Sequence, residues 1–415
     1  MKILVQKYGG TSVGSVARIQ AIAERSVAFQ QKGYAVVVVV SAMGTTTDDL
    51  LQLVKQVTAQ PRQRELGMLL STGEIISTAL LALAIQSLGA KSTALTGAQG
   101  GISTDESYAN ARITDIDTTR IKRLLRQGEI VVVAGFQGRM ADEITVLGRG
   151  GSDASAVALA SALGARFCDI FTDVDGIYTA DPGLVRNASL LQGISYEEML
   201  ELAASGAQVM MGRAVEIARK SNLRIRVRSS FNPTPGTIIT TEQELENVTI
   251  TGIAANTPVT LIEIQGIQIN SHDTADILGQ FTSQRINIIL LCSNKAGVDR
   301  TNLSLVVHPE DVAKIEAILT DFRAANRCEG YLIRSHLAQV SIVGSGIATH
   351  YGVAYEMFET LANSNIEVLM TSTSEIKITG IVPADRIDEA VLQLHQKFEL
   401  HTLKRNVLGN GNGKN

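Results

Sequence analysis

Two glycine-rich segments of the chain could bind an anion. The first, Lys7-Tyr-Gly-Gly-Thr-Ser12, lies between a predicted strand and a predicted helix, and the second, Gly148-Arg-Gly-Gly-Ser-Asp153, leads into an alanine-rich helical run. Free N–H groups at a helix start, together with the helix dipole, favour phosphate. Glycines such as Gly9 and Gly10 let the backbone approach phosphate oxygens, and Lys7 could neutralise a transferring phosphoryl group. A strand-to-helix turn also requires glycine, so turn geometry is the alternative explanation.

The second segment carries more than a helix start requires. Ser152 or Asp153 could be only an N-cap, but capping requires neither Arg149 nor a run of glycines that includes Gly151. Arginine presents a planar fork of N–H donors that matches a carboxylate. The segment therefore predicts a site for the carboxylate of a small substrate.

Further polar residues follow predicted strands. Ser41 comes after the apolar run that begins at Val36, and the stretch from Thr172 and Asp173 to Tyr178 comes after another. In open α/β sheets, ligands bind at the carboxyl ends of the strands. We therefore expect these side chains to lie at one edge of a sheet, beside the first glycine-rich segment.

Glu74 interrupts an otherwise apolar helical stretch, in the sequence Ser71-Thr-Gly-Glu. A carboxylate is expensive to bury without a cationic partner. The ammonium group of a substrate could be that partner. The alternative is a carboxylate at the rim, on a solvated helix face.

Histidine is missing from the first 271 residues; the six histidines are His272, His308, His336, His350, His395 and His401. Acyl phosphate formation requires no imidazole base, because a carboxylate nucleophile is already ionised at pH 7. It requires positioning and neutralisation of phosphate charge, which Lys7, the two glycine-rich segments and Mg²⁺ could supply. Chance is the alternative explanation for the histidine distribution.

The elements that must position these residues alternate between short β-branched runs and longer helical patterns, which predicts βαβ units and a mostly parallel, open sheet sandwiched by helices. The strand candidates are Ile3 to Gln6, Tyr34 to Val40, Ile130 to Val133 and Phe167 to Phe171. A first helix is indicated by apolar residues at helical spacing, namely Val16, Ile19, Ala23 and Val27. Gly33 closes that helix, and a longer helical stretch covers Leu69 to Leu88.

A turn from Asn232 to Gly236 marks a domain edge, and beyond it the sequence repeats itself. The matching pairs are Arg285-Ile-Asn-Ile with Ser364-Asn-Ile-Glu, and Pro309-Glu-Asp with Pro383-Ala-Asp. Each copy reads as a strand, a helix, two strands and a helix, and the first copy has a longer hairpin around Lys295 to Arg300. Two small α+β modules are predicted.

Composition excludes several classes of protein. The 415 residues include 37 basic and 41 acidic side chains, without a Lys/Arg block of the kind that tracks nucleic acid. The three cysteines, Cys168, Cys292 and Cys328, lack the spacing of a zinc site or a disulfide framework. The N-terminus lacks a signal-peptide pattern, and the run from Ala35 to Val40 is too short to span a bilayer. We expect a cytoplasmic enzyme with no nucleic-acid or membrane partner.

Taken together, the motifs resemble those of the monofunctional aspartate kinases of the amino acid kinase superfamily, over nearly the whole chain. In the family's order and spacing they are Lys7-Tyr-Gly-Gly-Thr-Ser, Val40-Ser-Ala-Met-Gly, Ser71-Thr-Gly-Glu, Gly135-Phe-Gln-Gly, Leu147-Gly-Arg-Gly-Gly-Ser-Asp, Thr172-Asp-Val-Asp-Gly-Ile-Tyr-Thr-Ala-Asp-Pro and Val227-Arg-Ser-Ser-Phe. The resemblance implies phosphorylation of the side-chain carboxylate of L-aspartate by ATP, which gives 4-phospho-L-aspartate, the first step toward lysine, threonine and methionine. Mg²⁺ would arrive with ATP.

The same resemblance implies roles for individual residues. Lys7 would contact the transferred phosphoryl group and Asp173 would orient Lys7. The ATP-binding residues would be Lys7, Gly9, Gly10, Ser41, Thr172, Asp173 and Tyr178. The aspartate-binding residues would be Thr47, Glu74, Arg149, Gly151, Ser152 and Asp153.

The repeats resemble the tandem ACT modules of that family, which are ferredoxin-like (βαββαβ), pair across a dimer and bind amino acids such as lysine and threonine; modules that only dimerise are the alternative. The expected divisions are a kinase domain at 1–247, a first ACT module at 257–335, a second at 336–408 that includes a strand from 248–256, and a flexible tail at 409–415. The strand Thr249 to Ala254 would belong to the second module. We expect a homodimer or higher homo-oligomer.

Two segments depart from the family pattern. Gly183 follows Asp-Pro where the family usually has arginine, so that Arg186 could supply the missing phosphate contact. The first ACT module has Asn270-Ser-His-Asp-Thr274 in place of an Asp-Lys-Pro-Gly turn, and Cys292-Ser-Asn294 where Gln-Asn is usual. Two other functions stay open: a regulatory amino-acid-binding subunit with a weakened kinase half, and a kinase for another acidic amino acid, such as glutamate or acetylglutamate.

Overall fold

A computed structural model describes residues 1–207, 209–269 and 272–408. The strands are β1 (Lys2–Tyr8), β2 (Tyr34–Val40), β3 (Ser92–Leu95), β4 (Ile102–Thr104), β5 (Ile113–Ile116), β6 (Ile130–Ala134), β7 (Gln137–Met140), β8 (Glu143–Val146), β9 (Phe167–Thr172), β10 (Gly193–Ser195), β11 (Arg224–Ser229), β12 (Thr237–Thr240), β13 (Gly252–Gln268), β14 (Ile288–Lys295), β15 (Arg300–Val307), β16 (Gly330–Val343), β17 (Met370–Thr373) and β18 (Lys377–Pro383).

The helices are α1 (Val16–Gln31), α2 (Thr46–Val57), α3 (Gln63–Ser87), α4 (Thr119–Arg126), α5 (Gly151–Leu163), α6 (Tyr196–Ala204), α7 (Gly212–Ser221), α8 (Asp273–Ser283), α9 (Val312–Ala324), α10 (Val353–Asn363) and α11 (Ile387–Lys397). Short 3₁₀ turns occupy Glu242–Glu244, Pro309–Asp311, Ala384–Arg386 and Leu400–Thr402.

The N-terminal half contains an eight-stranded sheet with the order β10-β12-β11-β9-β1-β2-β6-β3, parallel except between β11 and β12. Helices cover both faces. In β2, Val36 and Val38 pack with α1 and α3, whereas Val37 and Val39 pack with α5. Both faces of the strand are therefore buried, which explains its continuous valine run. The expected parallel α/β sheet and its four strand candidates are confirmed.

Helices α1 and α3 pack together on one face of the large sheet. Helix α1 begins after Ser15, whose side chain accepts a hydrogen bond from the Arg18 N–H at 3.3 Å, and it ends before Gly33, which has a φ of 84°. Helix α3 is long and apolar enough to cross a membrane by length and composition, but half of that stretch is buried against the rest of the fold. It packs against α1 and β6 as a core helix.

A second, smaller sheet has the order β5-β4-β7-β8. Backbone hydrogen bonds hold its strand β8 to the segment between β4 and β5: the N–H of Ala111 donates to the carbonyl of Val146 at 2.9 Å, and the N–H of Val146 donates to the carbonyl of Tyr108 at 2.8 Å. Strand β8 runs directly into the second glycine-rich segment. The small sheet therefore fixes the point from which that segment starts.

The C-terminal repeats share one antiparallel sheet with the order β14-β15-β13-β16-β18-β17. Strand β13 begins beside the second repeat, where Gly252 pairs with Val343, and continues into the first repeat, where Leu261 pairs with Val306. The strand expected to serve only the second module is thus the start of a strand common to both. The hairpin of β14 and β15 is present as expected. Asn270, Ser271 and the tail at 409–415 lie outside the described residues.

The last described residues return to the N-terminal half of the chain. The buried Arg405 guanidinium pairs with the Glu198 carboxylate of α6 and donates a hydrogen bond to Glu242 at 2.6 Å. Thr251 donates to Glu198 at 2.5 Å, and the backbone N–H of Ser345 also donates to Glu198, at 3.0 Å. This cluster connects the large sheet, the linker and the second repeat.

Candidate active site

Lys7 and Asp153 form an ion pair between the two glycine-rich segments. Lys7 lies at the end of β1 and Asp153 in the first turn of α5, and their Nζ and Oδ1 atoms are 2.6 Å apart. Their side chains are only 11% and 10% exposed, so solvent screens the pair weakly. The pair holds the ammonium group beside Gly9, where an added Cβ would lie 3.4 Å from Nζ.

The expected partner of Lys7 was Asp173, and this prediction is wrong for the structure described. Asp173 is exposed beyond the end of β9 and accepts a hydrogen bond from the Thr172 hydroxyl at 3.1 Å. Asp153 reaches Lys7 because the start of α5 packs over β1, a tertiary contact that the local sequence does not reveal.

The first glycine-rich segment is held by backbone hydrogen bonds on both sides. The N–H of Gly9 donates to Phe171 at 3.2 Å, and the N–H of Gly44 donates to Gly10 at 3.1 Å. A Cβ on Gly10 would lie 3.0 Å from the carbonyl oxygen of Ala42, which is closer than most side chains tolerate. The glycines therefore allow the close approach of three backbone segments.

Ser41 and Thr47 lie on the neighbouring side of the site. The Ser41 N–H donates to Tyr8 at 3.1 Å, and its carbonyl accepts a hydrogen bond from the Ser77 hydroxyl at 2.7 Å. Thr47 lies in the first turn of α2 and is partly buried. The turn between β2 and α2 is therefore fixed against β1 on one side and α3 on the other.

Glu74 is a buried carboxylate of α3, only 3% exposed. The N–H of Ala42 donates to Oε1 at 3.0 Å, while Oε2 has no hydrogen-bond partner among the described residues. Burial raises the pKa of Glu74 to about 7, although the Ala42 hydrogen bond works in the opposite direction. The alternative of a solvated rim carboxylate is wrong, and the free oxygen is suited to a cationic group.

The second glycine-rich segment turns through left-handed backbone conformations. Gly148 has a φ of 74° and Gly150 a φ of 69°, and a Cβ on Gly150 would lie 1.8 Å from Met211 Cγ. Gly150 is itself the N-cap of α5 and no side chain caps the helix, so the capping alternative for Ser152 and Asp153 is wrong. The buried start of α5 leaves both side chains for the site.

Arg149 stands on this segment with an exposed side chain. Gly151, next in the helix, is buried, and Gly135 allows the close approach of Ser152, since a Cβ there would lie 2.8 Å from the Ser152 Oγ. The structure thus brings Arg149, Gly151 and Ser152 to one loop and the following helix turn.

The loop after β9 forms another part of the sheet edge. Tyr178 donates a hydrogen bond to Asp175 at 3.4 Å, and Asn232 donates to the other oxygen of Asp175 at 2.6 Å. Burial, followed by the Asp175 charge, raises the pKa of Tyr178. The N–H of Ser230 donates to the Thr172 carbonyl at 2.8 Å. Thr172, Asp173 and Tyr178 therefore share one loop, as expected.

Known proteins match this chain over nearly its whole length. The amino acid kinase family matches residues 2–229 and the ACT domain matches residues 340–398. Aspartokinase 2 of Bacillus subtilis is 47% identical over 96% of this chain and 98% of its own length. The aspartokinase of Corynebacterium glutamicum is 41% identical over the whole of both chains. The chain belongs to the aspartokinases of the amino acid kinase family.

Solved structures agree on the fold. E. coli aspartokinase III in complex with aspartate and ADP superposes with a TM-score of 0.81 at 22% identity, over 96% of this chain and 99% of that one. Aspartate kinase from Synechocystis, at 37% identity, gives a TM-score of 0.53 over 100% of this chain and 71% of that one. The chain is therefore an enzyme of the aspartate kinase type with a C-terminal ACT domain.

Sequence reasoning missed a residue that supports the Arg149 segment. Arg213, at the start of α7, donates to the carbonyl of Leu147 at 2.7 Å, to that of Ala111 at 3.1 Å and to the Asn110 side chain at 3.0 Å. It joins the second glycine-rich segment to the small sheet. No local pattern around Arg213 indicates this role, because its partners lie far away along the chain.

The departure at Gly183 and its possible substitute, Arg186, are both exposed. Gly183 is exposed and its N–H donates to Asp181 at 2.8 Å, while Arg186 is exposed nearby. Within the described ranges, no group of three or more His, Cys, Asp or Glu side chains is arranged to hold a metal ion.

Proposed function

We propose that the chain phosphorylates the side-chain carboxylate of L-aspartate with ATP and releases 4-phospho-L-aspartate. The observation that carries the proposal is the buried Lys7–Asp153 ion pair, which joins the two glycine-rich segments beside the sheet edge. A phosphoryl acceptor and a phosphoryl donor must meet at such a cation, because charge on the transferring group has to be neutralised without water.

The phosphate side consists of Lys7, Gly9, Gly10 and Ser41. Lys7 would neutralise the transferring phosphoryl group, and the backbone of the glycine segment would lie against phosphate oxygens. Asp153 keeps the ammonium group at the end of β1. Thr172, Asp173 and Tyr178 would line the nucleotide pocket, a role that suits their shared loop.

Mg²⁺ would be coordinated mainly by the phosphate oxygens of the nucleotide. The donor set fits that arrangement, because Asp153 is already paired with Lys7 and the described residues offer no carboxylate cage. Bound in this way, the metal would neutralise phosphate charge. Alignment of the substrate carboxylate then depends on the protein side chains alone.

The aspartate side consists of Glu74 and the second glycine-rich segment. The unpartnered oxygen of Glu74 would accept the substrate ammonium, which supplies the missing cation. Arg149 would bind the carboxylate that does not react, with Gly151, Ser152 and Thr47 around it. Recognition of both charged groups of an amino acid leaves its side-chain carboxylate as the nucleophile.

The C-terminal sheet supports a regulatory role and a homodimer or higher homo-oligomer. One related structure is described as E. coli aspartokinase III in complex with lysine and aspartate. We propose lysine or threonine as effectors here, in a cytoplasmic enzyme at the start of lysine, threonine and methionine synthesis. The proposed divisions remain 1–247, 257–335 and 336–408, with 248–256 assigned to the second module.

The test is direct. The full chain is incubated with ATP, Mg²⁺ and L-aspartate, and acyl phosphate is trapped with hydroxylamine. We expect aspartyl hydroxamate, less of it when lysine, threonine or both are added, and none from L-glutamate or N-acetylglutamate. Absence of hydroxamate with L-aspartate would refute the proposal and favour a regulatory subunit with a weakened kinase half.

The role of Lys7 is tested in the same assay with the variant Lys7→Ala. We expect it to reduce kcat by at least about a hundredfold, because it removes the cation at the transferring group. The control is Lys91→Ala, which removes an exposed lysine. Near-normal kcat in folded Lys7→Ala would contradict the role given to Lys7.

A further inference from the structure

The loop that carries Tyr178 continues into the core of the second repeat. Ala180 and Val185 are buried among apolar residues of the C-terminal sheet and its helices, including Ile253 and Leu394. The arm 179–189, which follows Tyr178 and returns to β10, is therefore held by the second repeat rather than by the large sheet alone.

Thr179 is the polar centre of this contact. Its carbonyl accepts a hydrogen bond from the N–H of Ile253 at 2.8 Å, and its Oγ1 lies 2.9 Å from Nε2 of His395 in α11. The same Oγ1 accepts a hydrogen bond from the N–H of Ser189 at 3.0 Å. Thr179 is 0% exposed and His395 is 1% exposed, so water cannot replace either partner.

Contacts between its two ends, and with the segment around His401, hold the arm 179–189 in place. The N–H of Thr179 donates to the Ser189 carbonyl at 2.9 Å, Tyr178 forms a bridge with Leu190, and the Ser189 hydroxyl donates to the carbonyl of His401 at 2.7 Å. Because Tyr178 directly precedes Thr179, movement of the Thr179 hydroxyl would move the tyrosine. Burial, followed by the His401 charge, lowers the pKa of His395, which keeps the imidazole neutral.

We propose that His395 is a positioning residue for the nucleotide: through Thr179 it fixes the loop that carries Tyr178, so that the last helix of the second repeat sets the affinity for ATP. This proposal rests on the assignment of that loop to the nucleotide. It also gives the second repeat a direct route to the active site, since any displacement of α11 reaches Tyr178 through one buried hydrogen bond.

The test compares His395→Ala and Thr179→Val with Thr179→Ser, which keeps the hydroxyl, and with Met357→Ala. Met357 is a buried residue of the same core but belongs to α10. ATP binding to the full chain is measured by calorimetry without aspartate, and KM values for both substrates are measured by hydroxamate formation. Thermal midpoints identify variants that fail to fold.

We expect His395→Ala to weaken ATP binding about tenfold, the scale of one lost buried hydrogen bond, with KM for aspartate within about twofold. Thr179→Val should weaken ATP binding at least as much, because it also loses the hydrogen bond from the Ser189 N–H. The double variant should bind ATP no more weakly than Thr179→Val alone, and Thr179→Ser should bind as the wild type does.

Unchanged ATP binding in a folded His395→Ala, equal changes in both KM values, or the same loss in Met357→Ala would overturn the proposal. If the wild type forms no aspartyl hydroxamate, the proposed reaction fails, and ATP binding alone still decides the role of His395.

Discussion

Glu74→Gln removes the charge of a buried carboxylate while keeping its shape and its capacity to accept the Ala42 hydrogen bond. The pKa of Glu74 rises from 4.5 to about 7 on burial. A shift of that size means that the ionised side chain destabilises the substrate-free enzyme by about 3 kcal/mol at pH values above 7. If Glu74 holds the substrate ammonium, binding of aspartate recovers this free energy.

The sign of the pH dependence follows from the direction of the shift. Below about pH 4.5 the carboxyl group is protonated in the folded and unfolded chain, and it carries no penalty. The penalty grows as the pH rises toward 7 and is then constant. Glu74→Gln should therefore raise the thermal midpoint of the substrate-free enzyme by several degrees at pH 8, and by much less at pH 5.

The same carboxylate should control aspartate affinity in the opposite sense. With a pKa of about 7, the ionised fraction of Glu74 falls about tenfold between pH 8 and pH 6, so KM for aspartate should rise about tenfold over that interval. The aspartate ammonium stays charged throughout. In Glu74→Gln, KM should be at least about a hundredfold higher at pH 8 and nearly independent of pH.

The assay is hydroxamate formation at saturating MgATP between pH 6 and pH 8.5, with Glu65→Gln as the control. Glu65 is an exposed residue of the same helix. The reasoning is refuted if Glu74→Gln keeps KM within about twofold of the wild type, or if its pH dependence near 7 persists. A lower thermal midpoint at pH 8 would refute the burial argument separately.

Three further outcomes follow from other contacts. Arg149→Ala should raise KM for aspartate by about ten- to a hundredfold with little change in kcat, because in the proposed site the guanidinium binds a carboxylate that does not react; an unchanged KM in the hydroxamate assay would remove Arg149 from the site. Gly150→Ala should destabilise the fold by more than Gly89→Ala in urea titrations, since both residues have positive φ but only Gly150 faces Met211; equal losses would contradict this. Arg405→Ala should reduce the free energy of unfolding by about 3–5 kcal/mol, because it leaves a buried carboxylate unpaired; a loss below about 1 kcal/mol in urea titrations would contradict it.

The Arg405 cluster should also respond to acid. Burial alone would raise the pKa of Glu198, but the Arg405 charge and the hydrogen bond from Thr251 outweigh it, and the pKa is lowered overall. The stability from this pair is therefore present above the ordinary glutamate pKa and lost as the pH falls below it. The thermal midpoint of Arg405→Ala should converge toward that of the wild type as the pH is lowered; a constant difference would show that charge is not the cause.

The sequence predicted four of the eight strands of the large sheet, namely β1, β2, β6 and β9, because their apolar runs are buried on both faces of the sheet. A run such as Val36 to Val40 can hardly be anything except a central strand when helices cover it on both sides. The glycine-rich segments were equally easy to recognise from the sequence, because close backbone approach and left-handed turns such as that at Gly150 allow few other residues. Features that depend on the local backbone or on burial of one strand can therefore be recognised from the local sequence.

Contacts between segments far apart in the chain could not be predicted from the local sequence. Whether Lys7 meets Asp153 or Asp173 depends on how α5 lies over β1, and the local sequence around either aspartate does not reveal this. Likewise the repeat pattern indicated two modules, whereas sharing of β13 depends on continuous pairing across both. Arg213 and His395 form hydrogen bonds with residues far away along the chain, and the sequence around an isolated arginine or histidine does not identify such a partner.

The two buried carboxylates of the site illustrate how environment assigns different roles to similar groups. Asp153 lies against a permanent cation, so its charge is balanced before any ligand arrives. Glu74 has a backbone N–H on one oxygen and no partner among the described residues on the other, so its charge is balanced only when a cation is brought in. A fixed pair is suited to holding a catalytic ammonium in place. An unbalanced carboxylate is suited to selecting a substrate that carries an ammonium group, which is the role proposed for Glu74.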